Sequence, residues 1–218
     1  MRRFTYDPSQ VASLERAISS ERIGTYLRAC GGDLVAAIQM YERNTDLSEA
    51  LYGVLQALEI TLRNSMHREL TSHYGVANWF DRVGFLPAEA NALGRAKQSL
   101  GRAGKPQTPG RIIAELSFGF WVGLTSRPYS QNIWIPCLHR AFPSKRLAHR
   151  SAYARLEEIR RIRNRIAHHE PIMQPSLGGI YRRIVETLEW ICPDTALWMR
   201  ETTRFEQVFL AHIGHPVY

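Results

Sequence analysis

Apolar residues recur at spacings of three and four along nearly the whole chain, and no stretch alternates with the two-residue period of a half-buried strand followed by an Asn-Gly or Asp-Gly turn. The pattern predicts an all-α fold, a helical bundle with additional N- and C-terminal helices around its core. After a tail pinned by Pro8, one or two short helices run from about Ser9 to Ala29. Val11, Leu14 and Ile18 form one stripe, and Ile23, Tyr26 and Leu27 the next. Gly31-Gly32 stops them, and Asp33 is a candidate N-cap for a helix through Tyr41. Thr45 or Asp46 opens another, in which Leu47, Leu51, Val54, Leu55, Leu58, Leu62 and Met66 mark a long buried stripe ending near Tyr74. Such length predicts a central helix.

Trp79-Phe80 falls in a loop, and Pro87 occupies a first-turn position of a helix to about Leu100. The Gly- and Pro-rich stretch from Gly101 to Gly110 carries two charges, both basic, and reads as a flexible basic loop or a linker. The loop is favoured, because neither flank alone has the helix count of an independent domain; residues 1–218 then form a single helical domain with a motif-bearing core at about 33–171. Arg111 to Leu124 reads as one buried helix ended by Arg127-Pro128. A turn near Trp134 to Arg140 stops at Pro143, and Ser144 caps a long helix to about His169. Pro171 and Pro175 interrupt. Leu177-Gly178-Gly179 opens a helix to Ile191, and another runs from Pro193 to Ile213.

Composition narrows the class. The uncharged stretch around an apolar centre from Leu116 to Ser126 is far short of the roughly 20 residues of a membrane span. The N-terminus turns polar and acidic at Asp7 where a secretory leader needs an apolar run. Cys30, Cys137 and Cys192 are odd in number and widely spaced, which fits a reducing cytoplasm better than a disulfide framework or a zinc ribbon. The 28 Lys+Arg exceed the 20 Asp+Glu by 8, and 25 of the 28 are Arg. Arg binds phosphate bidentately and stacks on bases, so the bias leans toward nucleic acid; a GC-rich genome explains it equally well.

Distribution is more telling than total charge. Four arginines crowd Arg160-Arg161-Ile162-Arg163-Asn164-Arg165, followed by Ile166-Ala167-His168-His169-Glu170. At about 100° per residue, Leu156, Ile159, Ile162 and Ile166 face inward, whereas Arg161, Asn164, Arg165 and His168 lie on the opposite side. Such crowding is self-repulsive unless an anion or acidic side chains offset it, and the helix end favours a cationic imidazole. Arg163 instead projects at the edge of the apolar stripe, about 140° from His168, and needs a carboxylate partner. Glu59, in the middle of the stripe Leu55, Leu58, Leu62, is the best candidate.

Arg163-Asn164-Arg165-Ile166-Ala167-His168 resembles the Arg-Asn-x-x-x-His form of the signature of the HEPN superfamily. Leu47-Ser48-Glu49-Ala50-Leu51 with Leu58-Glu59-Ile60-Thr61-Leu62-Arg63-Asn64, then Glu115 to Trp121, then Arg163 to Pro171, are similar in order to the Abi-like, abortive-infection subgroup. The similarity spans roughly Tyr41 to Pro171. It implies that the bundle is HEPN-like. It also implies a metal-independent endoribonuclease of a bacterial abortive-infection or toxin–antitoxin defence system, with no cofactor and with RNA as substrate. A homodimer whose cleft lies at the interface, and a possible antitoxin or phage-derived trigger, belong to the same implication. By the same resemblance His168 is general base or acid, Arg163 stabilises phosphorane charge or holds the cleft in shape, and Asn164 orients His168 or the phosphate. Arg161 is the reserve for Arg163. Glu59, Arg63, Asn64, Arg165 and His169 are candidate support or RNA contacts.

Plainer readings stand beside these. The arginines read also as a solvated face paired with Glu157, Glu158 and Glu170, and the module as one that binds RNA, nucleotide or a partner protein without cutting. Adjacent helical His residues diverge by about 100°, which argues against a shared metal ion. The aromatics of Glu115 to Trp121 read as core, Glu115 as a helix-terminal acid or the partner of a cleft Arg, His67 as a surface residue, and the cysteines as small apolar residues.

Overall fold

The computed structural model describes residues 4–174 and 176–212, and among them there is no strand. The Asp7 carboxylate accepts from the N–H groups of Ser9 and Gln10, both at 3.0 Å, and so opens α1 (Pro8–Ile18). One residue, Ser19 at φ 88°, separates α1 from α2 (Ser20–Ala29). Gly31 and Gly32, at φ 62° and 90°, then make a left-handed turn that side chains resist. Asp33 caps the next helix through its Oδ1, 3.1 Å from the Ala36 N–H.

That helix, α3 (Leu34–Tyr74), runs 41 residues without the interruption predicted between Tyr41 and Thr45. The polar residues there are satisfied without a break in the helix. The Thr45 hydroxyl donates to the Tyr41 carbonyl at 3.1 Å, and Asn44 is buried with its Oδ1 accepting from the Ile172 N–H at 2.7 Å.

The described residues divide into two compact units. The first comprises those up to Gly53, Asn164–Tyr181, and those from Thr203 onward. Its core includes Ile23, Tyr26, Ile38, Met40, Leu51, Ile172 and Leu177. Tyr26 meets Tyr41 edge-on at 5.5 Å, and Phe205 stacks on Tyr181 at 4.6 Å.

The second unit comprises Val54–Arg163 and Arg182–Thr202. Leu55, Leu58, Leu62 and Met66 present the predicted stripe and are buried. Trp79 and Phe80 form a short 3₁₀ turn, both buried, with Trp79 6.2 Å from Trp121. α4 (Pro87–Arg102) begins at the expected proline and extends into the stretch assigned to the loop. The exposed connection 103–108 is held by a hydrogen bond from the Gln107 amide to the Lys97 carbonyl at 3.0 Å.

Arg111 to Leu124 is not one helix. α5 (Pro109–Glu115) and α6 (Phe118–Gly123) are separated by Leu116 in extended conformation and Ser117 at the cap of α6. Phe118, Phe120, Trp121 and Val122 are all buried on the short α6. α7 (His149–Ala167) starts later than Ser144, whose N–H is engaged with the Trp190 carbonyl at 3.2 Å. α8 (Leu177–Ile191) ends as predicted. The last predicted helix is two: α9 (Pro193–Thr202) and α10 (Phe205–His212). Thr203 Oγ1 accepts from the Phe205 N–H at 3.2 Å and restarts the chain, which carries Phe205 into its stack. Pro175, expected to interrupt, and Ile213, expected to end the last helix, lie outside the described residues.

Candidate functional site

α7 buries Leu156, Ile159, Ile162 and Ile166, as its spacing requires, so its polar positions face away from the core. Its C-terminus is closed by a Schellman motif. The Glu170 N–H donates to the Arg165 carbonyl at 2.8 Å and the His169 N–H to the Ile166 carbonyl at 3.0 Å, with His169 left-handed at φ 56°. His168 is therefore the last residue before the reversal. Its N–H bonds to the Asn164 carbonyl at 2.9 Å, while its side chain is exposed.

Arg22, which the sequence pattern did not single out, completes this end. Its guanidinium donates to the carbonyl of His169 at 2.8 Å and, at 3.4 Å, to that of His168. A cation on the last carbonyls neutralises the negative end of the helix dipole. Ser19, Glu21, Arg22 and Thr25 of the α1–α2 region and His168 to Pro171 line a groove of about 310 Å³. All of these residues belong to the first unit. Arg165 lies beside Glu170, 3.7 Å from its carboxylate.

In the second unit, Arg163 meets Glu59 as the helical wheel requires, with Nε 3.5 Å from Oε2 and both side chains half-buried. Glu157 holds Arg160 bidentately at 2.7 Å for each contact and approaches Arg161 at 3.4 Å. The guanidinium field keeps the Glu157 carboxyl below the usual carboxylate range, chiefly through the Arg160 hydrogen bonds. Arg161 is 76% exposed, the freest cation of the cluster. The expected self-repulsion is thus offset by carboxylates of the chain itself. Glu158 pairs with Arg183 at 2.8 Å.

Neither family models nor curated proteins nor solved structures match this chain.

The remaining candidates are spread over the second unit. Arg63 reaches the Ala114 carbonyl at 3.5 Å, at the end of α5, and Asn64 is exposed beside it. Glu115 accepts from the Ser99 hydroxyl rather than from a cleft arginine. His67 is not a surface residue: its Nδ1 accepts the Trp79 indole N–H at 2.9 Å, and burial pushes its pKa down. Phe118, Phe120 and Trp121 are core. Among the described residues no three His, Cys, Asp or Glu side chains are grouped as a metal site would require. No helix among them is long and apolar enough to cross a membrane.

Two residues that shape the site carried signals of different strength. Asn44 is a polar residue three before Leu47 and seven before Leu51 on a buried stripe, a legible anomaly. Arg22 is one arginine among 25, and nothing local marks it.

Proposed function

We propose that the chain is a metal-independent endoribonuclease of the HEPN type, with Arg163, Asn164 and His168 as its reacting set. The observation that carries the reading is His168: an exposed imidazole held by a fixed backbone at the end of a helix, five residues after Arg163. In this chemistry the ribose 2′-oxygen loses its proton to a base and attacks the adjacent phosphorus. The P–O5′ bond breaks, the 5′-oxygen takes up a proton, and the products are a 2′,3′-cyclic phosphate and a 5′-hydroxyl. His168 is the base or the acid, the part an imidazole most often plays in proton transfer. Arg163 stabilises charge on the phosphorane oxygens or, through Glu59, keeps α7 in register; Arg161 is the alternative donor because it is the more exposed. Asn164 orients His168 or the phosphate, and Arg22 and Glu170 shape the groove floor.

One chain carries one motif, so a homodimer with paired sites is part of the proposal, as are a place in abortive infection or a toxin–antitoxin pair and a cytoplasmic setting. The test is RNA incubated with purified protein in EDTA, followed by end-group analysis. Cyclic phosphate ends that disappear in His168→Ala are expected. Cleavage that requires Mg²⁺ and survives His168→Ala overturns the mechanism, and a strict monomer in light scattering overturns the shared cleft.

A second reading rests on the internal pairing of the arginines with Glu59, Glu157 and Glu170. A cluster already neutralised suits a module that binds RNA or a protein partner without cutting. Binding of RNA with no cleavage under any condition favours it.

A further inference from the structure

A solvent-open trough of about 640 Å³ lies wholly within the second unit, formed by the segment preceding α7, the first turns of α7 and one face of α8. Its cations are Lys145, Arg146, Arg155 and Arg183. Several contacts hold them in place. The Ser144 N–H bond to the Trp190 carbonyl ties the Lys145 segment to the end of α8. Lys145 Nζ sits 5.1 Å, and the Arg155 guanidinium 4.7 Å, from the centroid of the Trp190 ring. Arg155 also donates to the Arg183 carbonyl at 3.2 Å and to Glu186 at 3.0 Å.

Charge in the trough is not balanced. Glu186 offsets Arg155 and Glu158 offsets Arg183, but Lys145 and Arg146 have no carboxylate within ion-pair distance among the described residues. The Nε of Arg183 is buried, with no acceptor in hydrogen-bond range among the described residues. The helix that begins here adds to the same field: the first turn of α7 holds no acidic residue and starts with His149-Arg150. Basic residues at the positive end of a helix dipole are disfavoured unless an anion sits among them.

We propose that this trough seats the phosphodiester backbone of single-stranded RNA. Arg forks and a lysine around an open channel suit successive phosphates. Base recognition is not built in, because the aromatic ring lining the trough, Trp190, already carries two cations. The trough is a strand-binding surface in its own right. It extends the proposed ribonuclease without resting on it, since binding is read apart from cutting.

The test uses His168→Ala protein, so that the outcome is independent of cleavage, and a fluorescent 15-nucleotide oligouridylate followed by anisotropy. Lys145 and Arg146 are exposed, so Lys145→Glu with Arg146→Glu is expected to keep the helical circular dichroism. The double variant should weaken binding about tenfold or more near 0.1 M salt. It should also flatten the slope of log K against log salt by about 1.4, at about 0.7 per phosphate contact on a single strand. Unchanged affinity and slope in the double variant overturn the proposal. So does displacement of the oligonucleotide by equimolar inorganic tripolyphosphate, which assigns the trough to a small polyanion. If the wild-type chain cuts no RNA while these binding differences hold, the ribonuclease reading fails and the trough stands.

Discussion

The Oε2 of Glu59, on the longest helix of the chain, lies 3.5 Å from the Nε of Arg163, near the end of α7. Both side chains are half-buried beside apolar residues, and neither position is comfortable alone. Glu59→Ala strands a half-buried guanidinium and is expected to cost about 1 kcal/mol in urea denaturation. A double-mutant cycle with Arg163→Ala should give a coupling of about 0.5–1 kcal/mol. Strict additivity would show that the two side chains do not act together.

Asn44 holds the chain after the helix reversal by accepting from the buried N–H of Ile172 at 2.7 Å. Asn44→Ala leaves that donor unpaired, and the expected loss is about 1–3 kcal/mol. Hydrogen exchange at the Ile172 amide should accelerate in the same variant. An unaltered exchange rate would contradict the role assigned to the side chain.

His169 occupies the left-handed position of the Schellman turn at φ 56°. Glycine is the residue this position prefers, so His169→Gly should leave thermal stability level or raise it by up to about 1 kcal/mol. His169→Val, β-branched, should lower it. Melting temperatures in the reverse order would count against the turn.

His67 accepts the Trp79 indole N–H, and burial lowers its pKa below 6.5. The unfolded chain therefore binds a proton that the folded chain resists. The stability from this site is present above pH 6.5 and is lost as pH falls through the folded value. Urea midpoints at pH 7.5 and 5.5 should show the drop, and His67→Asn, which keeps an acceptor but does not titrate, should reduce it.

The Tyr129 hydroxyl donates to Glu89 Oε2 at 2.8 Å and accepts from the Leu86 N–H at 2.8 Å; burial, with Glu89 beside it, pushes its pKa up to about 12. Tyr129→Phe takes a partner from both the buried Glu89 carboxylate and the Leu86 N–H, an expected loss of about 1–3 kcal/mol. Gly123→Ala acts on the same carboxylate by another route, since a Cβ there falls 2.3 Å from Glu89 Oε1. Thermal melts of the two variants should both fall below wild type.

The all-α architecture, the buried face of α7, the stripe of α3 and the Glu59–Arg163 pair were legible in the sequence. Each stems from periodicity alone: an apolar position every three or four residues states which face is buried, and a lone charge on that face states that a partner is needed. The breaks were less legible. Thr45 and Asp46 resemble a helix start until Asn44 finds Ile172, and Ser144 resembles an N-cap until its N–H is committed to Trp190.

At the site the division is the same. Sequence by itself determined the run Arg160 to His168, its helical phase and the inward stripe beside it, because these depend only on order and pitch. The pairs of Arg160 and Arg161 with Glu157, and of Arg165 with Glu170, lie within five residues and follow from that same order. Tertiary structure decided that Arg22 caps the carbonyls of His168 and His169, and that Lys145 and Arg155 meet over Trp190 in a trough that Arg183 also lines. Those pairings join residues far apart in the chain. Hydrogen-bond and charge partners of that kind are chosen by how helices pack, which local spacing does not encode.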